Sequence, residues 1–535
     1  VTLIILLYVV AGVWLAVYGL NSLALAVLYI VSRRSQVNPS PDQLHAHPHV
    51  TVQLPVFNER YVVERLIDSV AALDWPQGRL QIQVLDDSDD ETTVLARARV
   101  EHHRKRGLDI SLIHRSDRSG YKAGALAAGL IQARGEFIAI FDADFVPPSR
   151  FLQDVIPPFF DQPDLGFVQT RWSHLNADYS CLTRAQSLAL DGHFVVEQTA
   201  RNRTGLLMNF NGTGGVWRRT CIEYSGGWSG DTISEDLDLS YRAQLAGWDC
   251  LYLPAVSAPA ELPPQLAAFK RQQFRWAKGS IQCLRKLGRS ILDNSRRLES
   301  APDERNQPSW SQPAQLSPRP EPNRLSAIQK VAALVHLSSY LAHPLMLVLL
   351  LSSLPLFLSP RDAHLPMAMA YLGVASIGPP LVYALAQRAL YPDWRRRLLY
   401  LPVLVLLGTG IALNNTRAVF EALRGKGGPF IRTPKFHLLG STGQWTKSAY
   451  RLSLDWSTLG EALLSLYACV TIVAAWRADN LYAIPFMMLY AGGFGLTAAI
   501  GIWQTGLSRW HIRRRRAIVD KSPLARARDR VAETG

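Results

Sequence analysis

Cysteine is scarce and dispersed: five residues in 535, at Cys181, Cys221, Cys250, Cys283 and Cys469, with neither a CxxC nor a close pair. Such spacing disfavours a zinc ribbon or disulfide framework and suits a reduced, cytoplasmic domain. There is no internal repeat. Acidic residues are the minority charge, 43 against 57 Lys and Arg. The basic excess is local, because Leu507 to Gly535 carries nine Lys/Arg against three Asp/Glu. Arg513 to Arg516 directly follow an apolar run, so cytoplasmic flanking charge facing anionic lipid accounts for them, and nucleic acid is not expected as a partner.

What is plentiful is uncharged apolar sequence. Residues 1–31 contain no charged side chain and end at Arg33-Arg34, too long for a signal-peptide core and right for a spanning helix over 1–32. Further charge-free runs lie at 331–360, 363–387, 398–416, 462–476 and 480–508. Making 398–416 a true span would put Arg417, Arg424, Lys426, Arg432 and Lys435 outside, against the positive-inside pattern, so an interfacial or re-entrant helix over 395–424 is expected there. The expected topology is an outside N-terminus, five crossings of the plasma (inner) membrane, and a cytoplasmic catalytic domain and C-terminus. Its pieces are a helix at 1–32, a soluble domain at 48–292, a linker at 293–325, a membrane region at 326–508 and a basic tail at 509–535. The linker is rich in Pro, Ser, Gln and charge and poor in apolar residues, a composition that cannot bury enough surface to order itself.

Between His49 and Leu292 short β-rich runs alternate with helical ones: His49 to Pro55, Gln81 to Leu85, Ile110 to His114 and Phe137 to Phe141. This alternation predicts βαβ units and an α/β domain with a mostly parallel sheet. Acidic groups end these runs, and ligands of open α/β sheets sit at the carboxyl ends of the strands. Asp86-Asp87 can accept hydrogen bonds from the base or ribose of a nucleotide; an acidic turn that caps a helix is the plain alternative, and Asp89 and Asp90 suit that role better. Asp142-Ala143-Asp144 presents two carboxylates at the end of a buried run, a donor set for Mg²⁺ or Mn²⁺ shared with phosphate oxygens.

Glu235-Asp236 precedes a helical run from Asp238 to Leu245, where Asp236 is the candidate general base and helix capping the alternative. Gln272, Arg275 and Trp276 fall at i, i+3 and i+4, on one face of a helix, where Arg can grip a diphosphate and the indole can seat a sugar. The same helix can also lie on the membrane through Lys270, Arg271 and Lys278. Lys122, at the start of a helix after Gly120-Tyr121, can receive phosphate. Asn211, Gly212 and Thr213 form a glycine-rich turn that permits close approach to a ligand, though a plain tight turn fits equally well.

With these residues in hand, the chain resembles the processive, inverting family-2 glycosyltransferases, the group of cellulose, chitin and hyaluronan synthases. The match covers most of residues 49–290 and is carried by the aspartate pair, the Asp-x-Asp, the Glu-Asp and the Gln-x-x-Arg-Trp in that order. Val84-Leu85-Asp86-Asp87-Ser88, Gly120-Tyr121-Lys122-Ala123-Gly124, Phe141-Asp142-Ala143-Asp144-Phe145 and Phe210-Asn211-Gly212-Thr213 look most like the plant-type cellulose-synthase-like mannan and glucan synthases. The resemblance implies a GT-A domain inserted in an α-helical membrane domain. It implies that Asp86, Asp87, Lys122, Asp142, Asp144, Gln272 and Arg275 hold the donor, with Asp142 and Asp144 also holding Mg²⁺ or Mn²⁺. Asp236 would be the base, and Trp276, Glu235, Asn211, Gly212 and Thr213 would face the acceptor.

The expected reaction is hexose transfer from GDP-mannose or UDP-glucose to a growing polysaccharide that is exported through the same chain, alone, as a homo-oligomer or with an export partner protein. Phe430-Ile431-Arg432-Thr433-Pro434-Lys435 is similar to the gating segment of cellulose synthases, Phe-x-Val-Thr-x-Lys, with Arg432 in place of valine, and defines a gating-like loop at 428–436 through Phe430, Thr433 and Lys435. Ser234-Glu235-Asp236 replaces the usual Thr-Glu-Asp and keeps the hydroxyl. The linker insertion lies outside the family pattern, and no cyclic-dinucleotide-binding domain follows the last apolar run. The rivals are single addition to a lipid such as a ceramide or polyprenyl phosphate, and a transporter or receptor with a degenerate nucleotide domain.

Overall fold

The computed structural model describes residues 2–33, 47–293, 324–359, 372–425, 432–447 and 455–520. The four expected strands form as Val50–Val56 (β1), Leu80–Asp86 (β2), Ile110–His114 (β3) and Phe137–Ile140 (β4). Three more complete the sheet: Leu165–His174 (β5), Gly215–Arg218 (β6) and Asp249–Ala260 (β7). The sheet order is β3-β2-β1-β4-β6-β5-β7. All neighbours run parallel except β6, which is antiparallel to both β4 and β5. Pro254 and Pro259 lack an N–H for the ladder, and they are tolerated because β7 lies at the sheet edge.

Burial on both faces explains why the central strands read as unbroken apolar runs. In β4 and the residue after it, Phe137, Ala139 and Phe141 join one core with Val52, Leu54, Val84 and Phe151. Ile138 and Ile140 point the other way, into a core with Leu126, Phe167, Trp217 and Leu239. Side chains alternate at a period of two along a strand, so this single run plugs both layers. The first polar residue after it, Asp142, is thereby delivered to the carboxyl edge of the sheet.

Among the described residues four helices are long and apolar enough to cross a membrane: Thr2–Ser32, Ala327–Phe357, Trp456–Arg477 and Leu481–Leu507. The helices Trp394–Gly410 and Ala412–Leu423 form a pair bent by 43°, a broken span or a re-entrant loop, in the stretch expected to be interfacial. The expected span at 363–387 falls partly outside the described residues. Residues 360–371 lie outside the described ones, and the next elements along the chain are a 3₁₀ turn at Leu372–Ile377 and a 13-residue helix, Gly378–Leu390, with two prolines in its first turn. The two prolines stand at the first helical positions, where a missing N–H is best tolerated.

The Gln-x-x-Arg-Trp helix, Leu266–Leu292, joins the two parts of the molecule. Leu266 and Phe269 pack with Leu182, Leu188, Leu404 and Leu407. Lys270 Nζ lies 2.5 Å from Oε1 of Glu461, whose side chain is fully buried in the helix Trp456–Arg477. Removing one member of a buried ion pair strands the other charge, at a cost of about 3–5 kcal/mol. Glu461→Ala should therefore lower the thermal midpoint in detergent markedly, and the apolar double variant Lys270→Met/Glu461→Leu should recover most of the loss. A double variant no more stable than Glu461→Ala would show that the pair is not what holds this junction.

Candidate active site

The carboxyl ends of β1, β2, β4, β5 and β7, the helix Leu266–Leu292 and residues 432–435 enclose a cleft of about 200 Å³. It is lined by Asp87, Lys122, Asp142, Asp144, Asn211, Gly212, Glu235, Asp236, Gln272, Arg275, Trp276, Thr433 and Lys435, so sequence-distant motifs meet in one place. Asp86 and Thr213 do not line it, and Phe430 lies outside the described residues. The Asp86 carboxylate is fully buried and accepts from the Ser88 N–H at 3.0 Å and Thr93 Oγ1 at 2.7 Å, with His114 Nδ1 at 2.9 Å. Its placement is that of a scaffold group. Thr213 Oγ1 accepts the Asp142 N–H at 2.9 Å and so braces the Asp-x-Asp turn from behind.

Lys122 is the hub. It enters from the first turn of the helix Tyr121–Gln132, behind Gly120, whose φ of +67° a side chain would strain. Its Nζ donates to Asp142 Oδ1 at 2.6 Å and to the Gly212 carbonyl at 2.9 Å, and lies 3.7 Å from Glu235 Oε1. Burial opposes its charge, but the carboxylates of Asp142, Glu235 and Asp236 outweigh burial and raise its pKa. Gly212 has φ +80°, and a Cβ there would stand 2.8 Å from Asp236 Oδ2, so the base candidate rests against bare backbone. The helix bearing Glu235 and Asp236 starts at Glu235, three residues before the expected run. Both carboxyls are pushed up, above all by burial, against the pull of Lys122; Asp142 adds to the rise of both and Asp236 to that of Glu235. Gly279 allows the helix Leu266–Leu292 to close on this edge, since a Cβ would meet Ser234 Cβ at 2.7 Å.

On the β2 side, Asp87 is held by Arg115 in a two-pronged pair, Nε to Oδ1 at 2.8 Å and Nη2 to Oδ2 at 2.6 Å. Arg118, which the sequence reading passed over, lines the cleft with its guanidinium 3.3 Å from the Phe57 ring centroid. Glu59, Trp172, His174 and Glu261 are further lining residues it missed. The available signal for Glu59 was its place just after β1, the same strand-end position that singled out Asp87.

The segment beginning at Arg432 is drawn into the cleft. Lys435 Nζ donates to Asp144 Oδ2 at 2.6 Å, Arg275 Nη2 to Thr433 Oγ1 at 2.9 Å, and Arg432 Nη1 lies 3.0 Å from Glu59 Oε2. Glu261 clamps the segment by accepting the N–H groups of Phe436 at 2.7 Å and Leu438 at 3.0 Å. The arginine found in place of the usual valine thus has a buried carboxyl opposite it.

Among the described residues no group of three His, Cys, Asp or Glu side chains is arranged to hold a metal. The cleft nevertheless fits a hard divalent cation. Asp142 and Asp144 are oxygen donors, each already faced by an ammonium, and Mg²⁺ and Mn²⁺ commonly take one or two carboxylates and fill the remaining positions from water and substrate phosphates.

Residues 47–279 match the model of the family described as glycosyltransferase like family 2. The chain is 41% identical over 273 residues to glucomannan 4-beta-mannosyltransferase 1 of Oryza sativa subsp. japonica, covering 49% of this chain and 52% of that protein. It is 44% identical over 254 residues to glucomannan 4-beta-mannosyltransferase 2 of Arabidopsis thaliana, covering 46% and 47%. The chain thus spans about half the length of these curated relatives. Among solved structures it is similar to a mannosyltransferase from Pyrobaculum calidifontis in complex with GDP-Man and Mn²⁺, at 19% identity and a TM-score of 0.49, covering 78% of this chain and 100% of that one.

Burial pushes the Glu59 carboxyl up to about 8, more than Arg432 and Lys435 pull it down. A carboxyl with a raised folded value binds its proton preferentially in the folded state between its unfolded value and about 8, so it makes stability fall as pH rises through that window. Glu59→Gln should flatten the decline of the thermal midpoint between about pH 5 and 8. An unchanged slope would mean that Glu59 ionises normally beside Arg432.

Proposed function

From the premise that residues 47–279 are a glycosyltransferase family 2 domain with the GT-A fold, we propose that the protein is a membrane-embedded, processive, inverting β-glycosyltransferase. It transfers hexose from a nucleotide sugar to a growing polysaccharide and passes the product through its own membrane region. The observation that carries this reading is the meeting of Asp142, Asp144, Asp236, Arg275 and Trp276 in one cleft beside helices of membrane-spanning length. The names of the relatives, glucomannan 4-beta-mannosyltransferases, favour a mannosyl donor, GDP-mannose, over UDP-glucose. The catalytic domain lies on the cytoplasmic side of the plasma (inner) membrane, where sugar nucleotides are found.

In the proposed step the Asp236 carboxylate takes the proton of the chain-end hydroxyl. That oxygen forms the new bond to the anomeric carbon from the face opposite the leaving group, and the nucleoside diphosphate departs with the electron pair. A partly buried carboxylate of raised pKa is the stronger base, and general base catalysis is worth typically 10²–10⁴-fold. Lys122 and Arg275 bring positive charge to the departing phosphates, whose negative charge grows in the transition state. Asp142 and Asp144 would hold a Mg²⁺ or Mn²⁺ ion, which supplies further neutralisation of the diphosphate. Trp276 offers a flat apolar face to the acceptor sugar.

Asp236→Asn should lower transfer by at least about 100-fold while nucleoside diphosphate still binds; near-normal turnover in purified membranes would remove Asp236 as the base. The donor question is answered by supplying labelled GDP-mannose or UDP-glucose with Mg²⁺ or Mn²⁺ to the reconstituted protein. A long, glycosidase-sensitive chain is the expected product. An organic-soluble single-sugar product would instead establish a lipid acceptor.

A further inference from the structure

His174, at the last position of β5, lines the cleft although its side chain is only 3% exposed. Its Nε2 lies 2.9 Å from Asp191 Oδ1, and the Asp191 side chain is fully buried. The other oxygen, Oδ2, accepts from Gln387 Nε2 at 2.8 Å, and Gln387, also fully buried, belongs to the helix Gly378–Leu390 of the membrane region. A carboxylate that receives one bond from an amide and one from an imidazole fixes the ring plane and places the imidazole proton on Nε2. In the neutral ring Nδ1 is then left as an acceptor, and it makes no hydrogen bond among the described residues. The ring is thus oriented with its second nitrogen unpaired among the described residues, and the residue that carries it lines the cleft.

Its position along the sheet says which substrate it meets. Asp87, just beyond the end of β2, is four strand spacings from β5, about 19 Å at ~4.8 Å per strand. Asp142, just beyond the end of β4, is two spacings away, about 10 Å. The nucleotide half of the cleft therefore lies on the far side of the Asp-x-Asp from His174. On its own side stand Trp172, Leu190, Leu262 and Pro263, an apolar and aromatic wall suited to a sugar face.

We propose that His174 is an acceptor-binding residue: its Nδ1 accepts a hydrogen bond from a hydroxyl of the acceptor sugar, and Asp191 and Gln387 are positioning residues that hold the required tautomer. Through Gln387 the acceptor contact is tied to the membrane region, so the sugar chain is gripped by a group whose orientation is set from the bilayer side. This inference rests on the transfer reading above.

The test uses the full-length protein in detergent, the sugar nucleotide it accepts, and a short β-linked hexose oligosaccharide as acceptor, with GDP or UDP binding measured separately. An asparagine amide can occupy the place of Nδ1, whereas a glutamine amide reaches the place of Nε2. His174→Gln should raise KM for the oligosaccharide roughly tenfold, the usual scale for stranding one buried hydrogen-bonding group, while the Kd of the nucleoside diphosphate stays put. His174→Asn should restore most of the acceptor affinity. An acceptor KM within twofold of wild type in His174→Gln overturns the proposal, as does loss of nucleotide binding in both variants, which marks a scaffold role. A wild-type protein that elongates no acceptor with any donor overturns the transfer reading and this inference with it.

Discussion

One partly buried ammonium organises the cleft. Lys122 Nζ is shared by the end of β4 through Asp142, the glycine turn through the Gly212 carbonyl, and the helix Glu235–Leu245 through Glu235. Three carboxyl groups with no cation among them would repel at this distance and take up protons. With the ammonium present they can gather around one point, and a bare glycine lets Asp236 come against the same turn. The lysine that sequence reading assigns to phosphate therefore also answers an electrostatic problem internal to the protein.

The same logic repeats at Asp144. Lys435 reaches it from a segment far along the chain, and that segment is held by Glu261, Arg275 and Glu59. Both carboxylates of the Asp-x-Asp thus face a lysine, one from within the α/β domain and one from the chain that comes after the bent helices. A positively charged ligand at either carboxylate competes with a side chain of the protein itself. The position of residues 432–438 is thereby coupled by charge to whatever occupies the donor half of the cleft.

The α/β domain is joined to the apolar helices by directed contacts as well as by packing. Lys270 meets Glu461, Gln387 meets Asp191, and Asn414 Nδ2 donates to the Lys270 carbonyl at 3.0 Å. Each is polar on both sides and buried or partly buried, so each constrains orientation where an apolar contact would allow sliding. The cleft is thereby kept at a fixed angle to these helices.

Patterning along the chain was enough for the four strands β1 to β4 and the Gln272, Arg275 and Trp276 face, because strand and helix periods are local properties. It also located the strand-end acids, since a charge just after a buried run has to emerge at the sheet edge. Local patterning did not reveal β5, β6 and β7, where Pro254, Pro259 and Gly215 weaken the strand signal and pairing with distant partners overrides propensity. It favoured Asp87 within the acidic cluster, but only the assembled neighbours show that the Asp86 carboxylate is spent on Thr93, Ser88 and His114. The partners of Lys122, Lys435 and His174 lie 17 to 291 residues away in sequence, and such pairings are fixed by tertiary packing alone. The sequence by itself determined which chemical groups stand at the ends of its strands; the folded chain decided which of them share a cavity and which are consumed in holding it together, because burial and charge pairing are properties of three-dimensional neighbours.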